Sequence, residues 1–149
     1  MEIIALSRSS YLEENKVFKM PLLEKIVKLE NEAVNFGFKW ENTTQIMDQI
    51  RSECDEVSEV LQNAEHDPSK KNLEEEIGDL MHAVFSLCVF CKLSPQATLE
   101  KTLVKFERRL SAVKQLANAQ GLITLENHSF DELMTYWNKA KKITDETSL

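Results

Sequence analysis

Apolar side chains recur at a helical period in five stretches of this chain, and the residues between those stretches are types that start and stop helices. Leu22, Leu23, Ile26, Val27, Leu29 and Ala33 keep the spacing after Pro21, which reads as a first-turn proline, and up to Gly37, which reads as a C-terminal stop. Ile46, Ile50, Cys54, Val57 and Leu61 form a second stripe, with Asn42 or Thr43 as its cap. Asp67-Pro68-Ser69 breaks the pattern before Leu73, Ile77, Leu80, Met81, Val84, Phe85 and Cys88 carry a third. Ser94-Pro95 opens a fourth, through Leu99, Leu103, Phe106, Leu110 and Val113 towards Gly121. The last begins near Ser129 or Asp131, where Ser129-Phe130-Asp131-Glu132 resembles a capping pattern, and includes Leu133, Met134 and Trp137. With only 3 Gly and 3 Pro to make turns, a sheet is disfavoured, and the spacing predicts an all-α bundle of about five helices. Residues 1–19 show no sustained period and read as an N-terminal extension, 20–143 as the domain and 144–149 as a C-terminal tail.

A single domain accommodates 149 residues, and a helical chain of this size often completes its core by association, so dimerisation is expected. A net charge of -7 disfavours a broad nucleic-acid or anionic-membrane surface. No apolar run reaches the roughly 18 residues needed to span a bilayer, and the apolar start, Met1 to Leu6, is too short for a signal segment, which makes the cytoplasm the expected location. Cys54, Cys88 and Cys91 are odd in number and lie in apolar stretches. Cys88-Val89-Phe90-Cys91 matches a redox spacing but falls late in a helix instead of at its start, so burial as small hydrophobes is the expectation for all three.

Two acidic pairs stand out, Glu53 with Glu56 and Glu76 with Asp79, each at i, i+3 and so on one helix face. Taken singly, such pairs are usually a solvated surface. Glu53 lies one turn before Val57 and Glu56 one turn before Val60, so the first pair borders the apolar stripe, and Glu76 and Asp79 lie beside theirs. Four carboxylates crowded at a helix interface repel one another unless a cation or protonation relieves them, and a hard cation usually signals phosphate chemistry. Gly78, inside the third helix, suits either close helix packing or room for a ligand beside the acids. Lys101, Lys105 and Arg109 form a cationic ridge on the fourth helix, joined by Arg108, which is either solvated or complementary to phosphate. Trp137 and Lys141, and Trp40 with Phe38, are either packing residues or stacking surfaces for a base.

In this order the residues resemble the MazG-type nucleoside triphosphate pyrophosphohydrolases of the all-α NTP pyrophosphatase superfamily. The likeness runs from about Leu22 to Lys142 and is carried by Leu73-Glu74-Glu75-Glu76-Ile77-Gly78-Asp79-Leu80, Lys105-Phe106-Glu107-Arg108-Arg109, Tyr136-Trp137-Asn138-Lys139-Ala140-Lys141 and the lead-in Phe36-Gly37-Phe38-Lys39-Trp40. It implies Glu53, Glu56, Glu76 and Asp79 as ligands of Mg²⁺, with Mn²⁺ as a substitute, phosphate contacts from Lys105 and Arg109, and nucleotide contacts from Trp137 and Lys141. A carboxylate not fully used as a ligand, Glu53 or Glu56, is the expected group to orient or deprotonate the attacking water, and Trp40 is a candidate substrate contact by stacking. For the family lysine ahead of the second acidic motif, Lys71 is the nearest candidate and Asn72 the aligned residue. Ser52 stands where the family usually has the first glutamate of its first motif. The implied reaction is hydrolysis of a nucleoside triphosphate to the monophosphate and pyrophosphate, clearing non-canonical nucleotides or adjusting normal pools, in a homodimer or higher homo-oligomer built from one domain per chain. The rivals are a non-catalytic nucleotide-binding or association module of the same fold, and a di-iron carboxylate bundle suggested by Asp79-Leu80-Met81-His82.

Overall fold

The computed structural model describes residues 20–63, 65 and 70–146. The expected extension at 1–19, His66 and the break at Asp67-Pro68-Ser69 lie outside the described residues, as do 147–149. Five helices follow in order, α1 (Leu22–Phe36), α2 (Thr43–Gln62), α3 (Lys71–Phe90), α4 (Pro95–Ala119) and α5 (Phe130–Glu146), and no strand occurs among the described residues.

The helix boundaries have identifiable local causes. Pro21 stands just outside α1 as its N-cap with ψ 139°, one place earlier than a first-turn proline, and its carbonyl accepts the Lys25 N–H at 3.0 Å. Gly37, at φ 96°, closes α1 in the left-handed conformation, with its own N–H on the Val34 carbonyl and the Phe38 N–H on that of Ala33. This paired closure satisfies carbonyls that a bare helix end leaves open. Asn42 caps α2, its side chain accepting the Gln45 N–H at 3.1 Å. Ser129 and Glu132 complete a reciprocal capping box at α5. The Glu132 carboxylate accepts from the Ser129 backbone at 2.8 Å and from its hydroxyl at 2.9 Å, and Ser129 Oγ accepts the Glu132 N–H at 3.3 Å. The helix then runs on to Glu146 with Thr144 buried, its Oγ1 donating to the Ala140 carbonyl at 2.9 Å, so helical order enters the segment expected as a tail.

The chain divides into two compact units, one through Gln96 and one from Ala97. In the first, α2 and α3 pack along each other and α1 packs against α3. Ile46 is fully buried there, together with Ala83 and Ser86. A polar clamp ties α1 to α3: Glu30 Oε1 accepts the Ser86 hydroxyl at 2.6 Å and lies 2.9 Å from His82 Nε2. In the second unit α4 and α5 bury Ala112, Ala117, Tyr136 and Ala140, and the Tyr136 hydroxyl donates to Gln120 Oε1 at 2.5 Å.

Cys54 and Cys91 are exposed and Cys88 is half-buried, so the expectation that the cysteines fill a core is corrected: Cys91 caps the end of α3, where the apolar stripe has run out. All three are free thiols. Several large apolar side chains also remain on the surface, among them Leu22, Phe36, Phe38, Met81, Leu103 and Phe106. No single described helix is long and apolar enough to cross a membrane.

Candidate metal centre

Counting outward from the connection between α2 and α3, Glu53 lies nine residues before the end of one helix and Asp79 eight after the start of the other. A helical hairpin places such positions level with each other. One carboxylate oxygen each from Glu53, Glu76 and Asp79 lie within 4.8 Å of one another. The three residues could hold one hard divalent cation, which would draw their oxygens closer together than they stand here. All three donors are hard oxygens, the type such a cation prefers.

Burial grades across the centre: Glu53 is buried, Glu76 half-buried and Asp79 exposed. A buried carboxylate needs a hydrogen-bond donor, and Gln49, one turn earlier, donates its amide Nε2 to Glu53 Oε1. Lost hydration and then the charges of Glu56, Asp79, Glu53 and Glu75 raise the Glu76 pKa above its ordinary value. Anions that resist ionisation beside one another are what a cation would relieve. Nothing lies within 4 Å of the place where a Cβ on Gly78 would sit. Among the described residues no helix packs closely on this glycine, and open space adjoins the acids.

Of the four acids implied as ligands, three are thus grouped and the fourth stands apart. Glu56 is exposed, and its charge still acts on Glu76, but its oxygens do not join the group. Residue 52 gains a visible role here, since Ser52 Oγ donates to Glu56 Oε1 at 3.3 Å. His82 is turned to Glu30 on α1, and no histidine belongs to the carboxylate group among the described residues, unlike the arrangement a di-iron bundle would need.

The remaining candidates fall as follows. Trp40 is half-buried on the lead-in to α2, and Lys71 is the first residue of α3. In the second unit, Lys105 is exposed and Lys141 half-buried. Trp137 packs on Phe106 with ring centroids 5.9 Å apart, and the Arg109 guanidinium lies over the Trp137 ring at 5.8 Å. The Arg109 Nη2 donates to Asp145 at 3.1 Å. Asp145 and Glu30 were outside every motif. Their partners lie 36 and more than 50 residues away, and no local signal marks them.

An all-α domain with three carboxylates grouped across a helical hairpin defines a class of helical proteins that could hold a metal ion there. Residues 41–114 match the MazG nucleotide pyrophosphohydrolase domain. The nucleoside triphosphate pyrophosphohydrolase/pyrophosphatase MazG of Thermotoga maritima is 31% identical over 122 residues, covering 82% of this chain and 45% of that protein. The nucleoside triphosphate pyrophosphohydrolase of Escherichia coli K12 is 30% identical over 123 residues, covering 83% and 46% respectively. The chain spans a little under half the length of these relatives. It belongs to the MazG family.

Proposed function

We propose that the protein hydrolyses nucleoside triphosphates to the monophosphate and pyrophosphate with Mg²⁺ as its metal. The observation that carries this is the grouping of Glu53, Glu76 and Asp79 within 4.8 Å in a chain whose relatives are nucleoside triphosphate pyrophosphohydrolases. Glu53, Glu76 and Asp79 hold the ion in this reading. A bound Mg²⁺ would draw charge from phosphate oxygens and lower the pKa of a water. Gln49 keeps Glu53 in place, and in this reading Glu56, one turn along α2, accepts the proton of the attacking water. Lys105 and Arg109 steady phosphate oxygens and Trp137 and Lys141 contact the nucleotide, roles that rest on the family likeness; Trp40, as a stacking surface, and Lys71, as the lysine nearest the second acidic pair, are further candidate contacts. A second copy of the chain would cover part of the exposed apolar surface, giving a homodimer, and the cytoplasm supplies the substrates.

Incubating the purified protein with Mg²⁺ and a panel of normal and modified nucleoside triphosphates, with pyrophosphate resolved from single phosphate, tests the reading. Monophosphate and pyrophosphate in equal amounts are expected. Release of single phosphate, or no turnover by folded, Mg²⁺-loaded protein, would overturn it.

A further inference from the structure

The Arg109 guanidinium has three distinct surroundings, all within the unit that begins at Ala97. Its face lies over Trp137 with Cζ 5.8 Å from the ring centroid. Its Nη2 donates to both oxygens of Asp145, at 3.1 and 3.4 Å, and its Nε is buried without a hydrogen-bond partner. The Arg109 side chain is 17% exposed, against 63% for Asp145.

The geometry points to Asp145 as a positioning residue for Arg109, one that fixes the guanidinium against Trp137 and leaves its remaining edge for an anion. The inference rests on the reading of Arg109 as a phosphate contact. A guanidinium carries five N–H donors in a rigid fork, and a carboxylate that meets the fork edge to edge takes up two nitrogens at once. Here both Asp145 oxygens converge on the single nitrogen Nη2, so the cation is tethered without being saturated. Asp145 is also the one hydrogen-bonding partner of Arg109 among the described residues. An exposed ion pair is a weak source of stability, so its larger effect is on orientation. Fixing a long side chain before the ligand arrives removes an ordering cost from binding and leaves the chemical step untouched.

Placement on α5 agrees with this. Trp137, Lys141 and Asp145 follow one another at i, i+4 and i+8, a single row along the helix. The two residues that the family likeness connects with the nucleotide and the residue that tethers Arg109 therefore share one face. The row exists only because α5 extends to Glu146.

The test uses the full chain, magnesium tripolyphosphate as a phosphate-only probe in calorimetry, and KM and kcat for magnesium ATP. Asp145→Asn keeps the shape and removes the charge. It is expected to raise the Kd for tripolyphosphate and the KM by about three- to tenfold, with kcat within about twofold and the thermal midpoint unchanged. Asp145→Glu should recover most of the loss. Arg109→Ala should weaken binding at least as much, and adding Asp145→Asn to it should have no further effect. If Asp145→Asn leaves Kd unchanged while Arg109→Ala weakens it, the role of Asp145 is overturned and that of Arg109 stands. Tighter binding in Asp145→Asn would make the carboxylate a competitor of the substrate, which also overturns the proposal. Equal losses in KM, kcat and thermal midpoint without rescue by glutamate would reduce Asp145 to a structural residue. If Arg109→Ala changes nothing, or the unaltered protein does not bind the probe, the reading of Arg109 itself falls.

Discussion

Glu76 of α3 and Glu132 of α5 both sit early in their helices, and their surroundings push them in opposite directions. Glu132 is held below its ordinary pKa by the Ser129 backbone N–H and hydroxyl, in a closed capping box. Glu76 is raised by lost hydration and by the charges of Glu56, Asp79, Glu53 and Glu75. One carboxylate is satisfied by the residues that cap its own helix; the other has no hydrogen-bond donor among the described residues. The difference separates a residue that builds the fold from one whose proposed role is to hold a cation.

Replacing the acids gives the largest expected contrast. Glu76→Ala or Asp79→Ala should lower pyrophosphate release by about 100-fold or more, since loss of even a supporting group around a metal costs 10- to 100-fold. Circular dichroism should show helicity unchanged. Glu132→Ala should leave turnover within about twofold, and a large loss there would break the comparison.

Acidity should divide the two regions in a measurable way. A raised carboxylate pKa means that the folded state holds the Glu76 proton more tightly than the unfolded chain does. Its contribution to stability is therefore present at low pH and lost as pH rises through the raised value. Below that value protons compete with the metal, so Mn²⁺ affinity, followed by electron paramagnetic resonance, should fall by up to about tenfold per pH unit. Glu76→Gln should raise the metal-free thermal midpoint at neutral pH while abolishing Mn²⁺ binding. The lowered pKa of Glu132 has the opposite sign: its stabilisation is present above its ordinary value and lost as pH falls through the depressed one. A metal affinity independent of pH would sink the assignment of Glu76 as a ligand.

The smallest effects concern stability alone. Ser129→Ala should cost about 1 kcal/mol through loss of the cap, read from chemical denaturation, with turnover unchanged. Gly78→Ala should stabilise the metal-free protein by about 0.8 kcal/mol, because a helical alanine replaces a glycine where a Cβ meets nothing. Reduced turnover in the same variant would show that the space beside the acids is used.

The five helices were legible because apolar period and end signals agree at several boundaries, as at Gly37, Asn42, Pro95 and Ser129. The grouping of Glu53, Glu76 and Asp79 follows from positions that mirror one another across the α2–α3 connection. That the Glu56 oxygens stand outside that group could not be read from the sequence. Residues at i and i+3 are offset by about 60° around a helix, and only the partner helix decides which one faces inward. Asp145 and Glu30 escaped for a related reason: a cross-helix partner carries no periodic or local signature.

The end of α3 has a bearing on how this chain can change over time. Lys92 occupies the left-handed conformation at φ 61° where α1 and α4 use Gly37 and Gly121, and its N–H and that of Leu93 close the helix on the Val89 and Cys88 carbonyls. A residue with a Cβ is strained there, and glycine at this one position would relieve the strain without disturbing the closure. The protein thus carries an unused reserve of stability outside its chemistry. Such a reserve is a resource for adaptation, because a mutation elsewhere that costs some stability can be followed by a compensating change at Lys92.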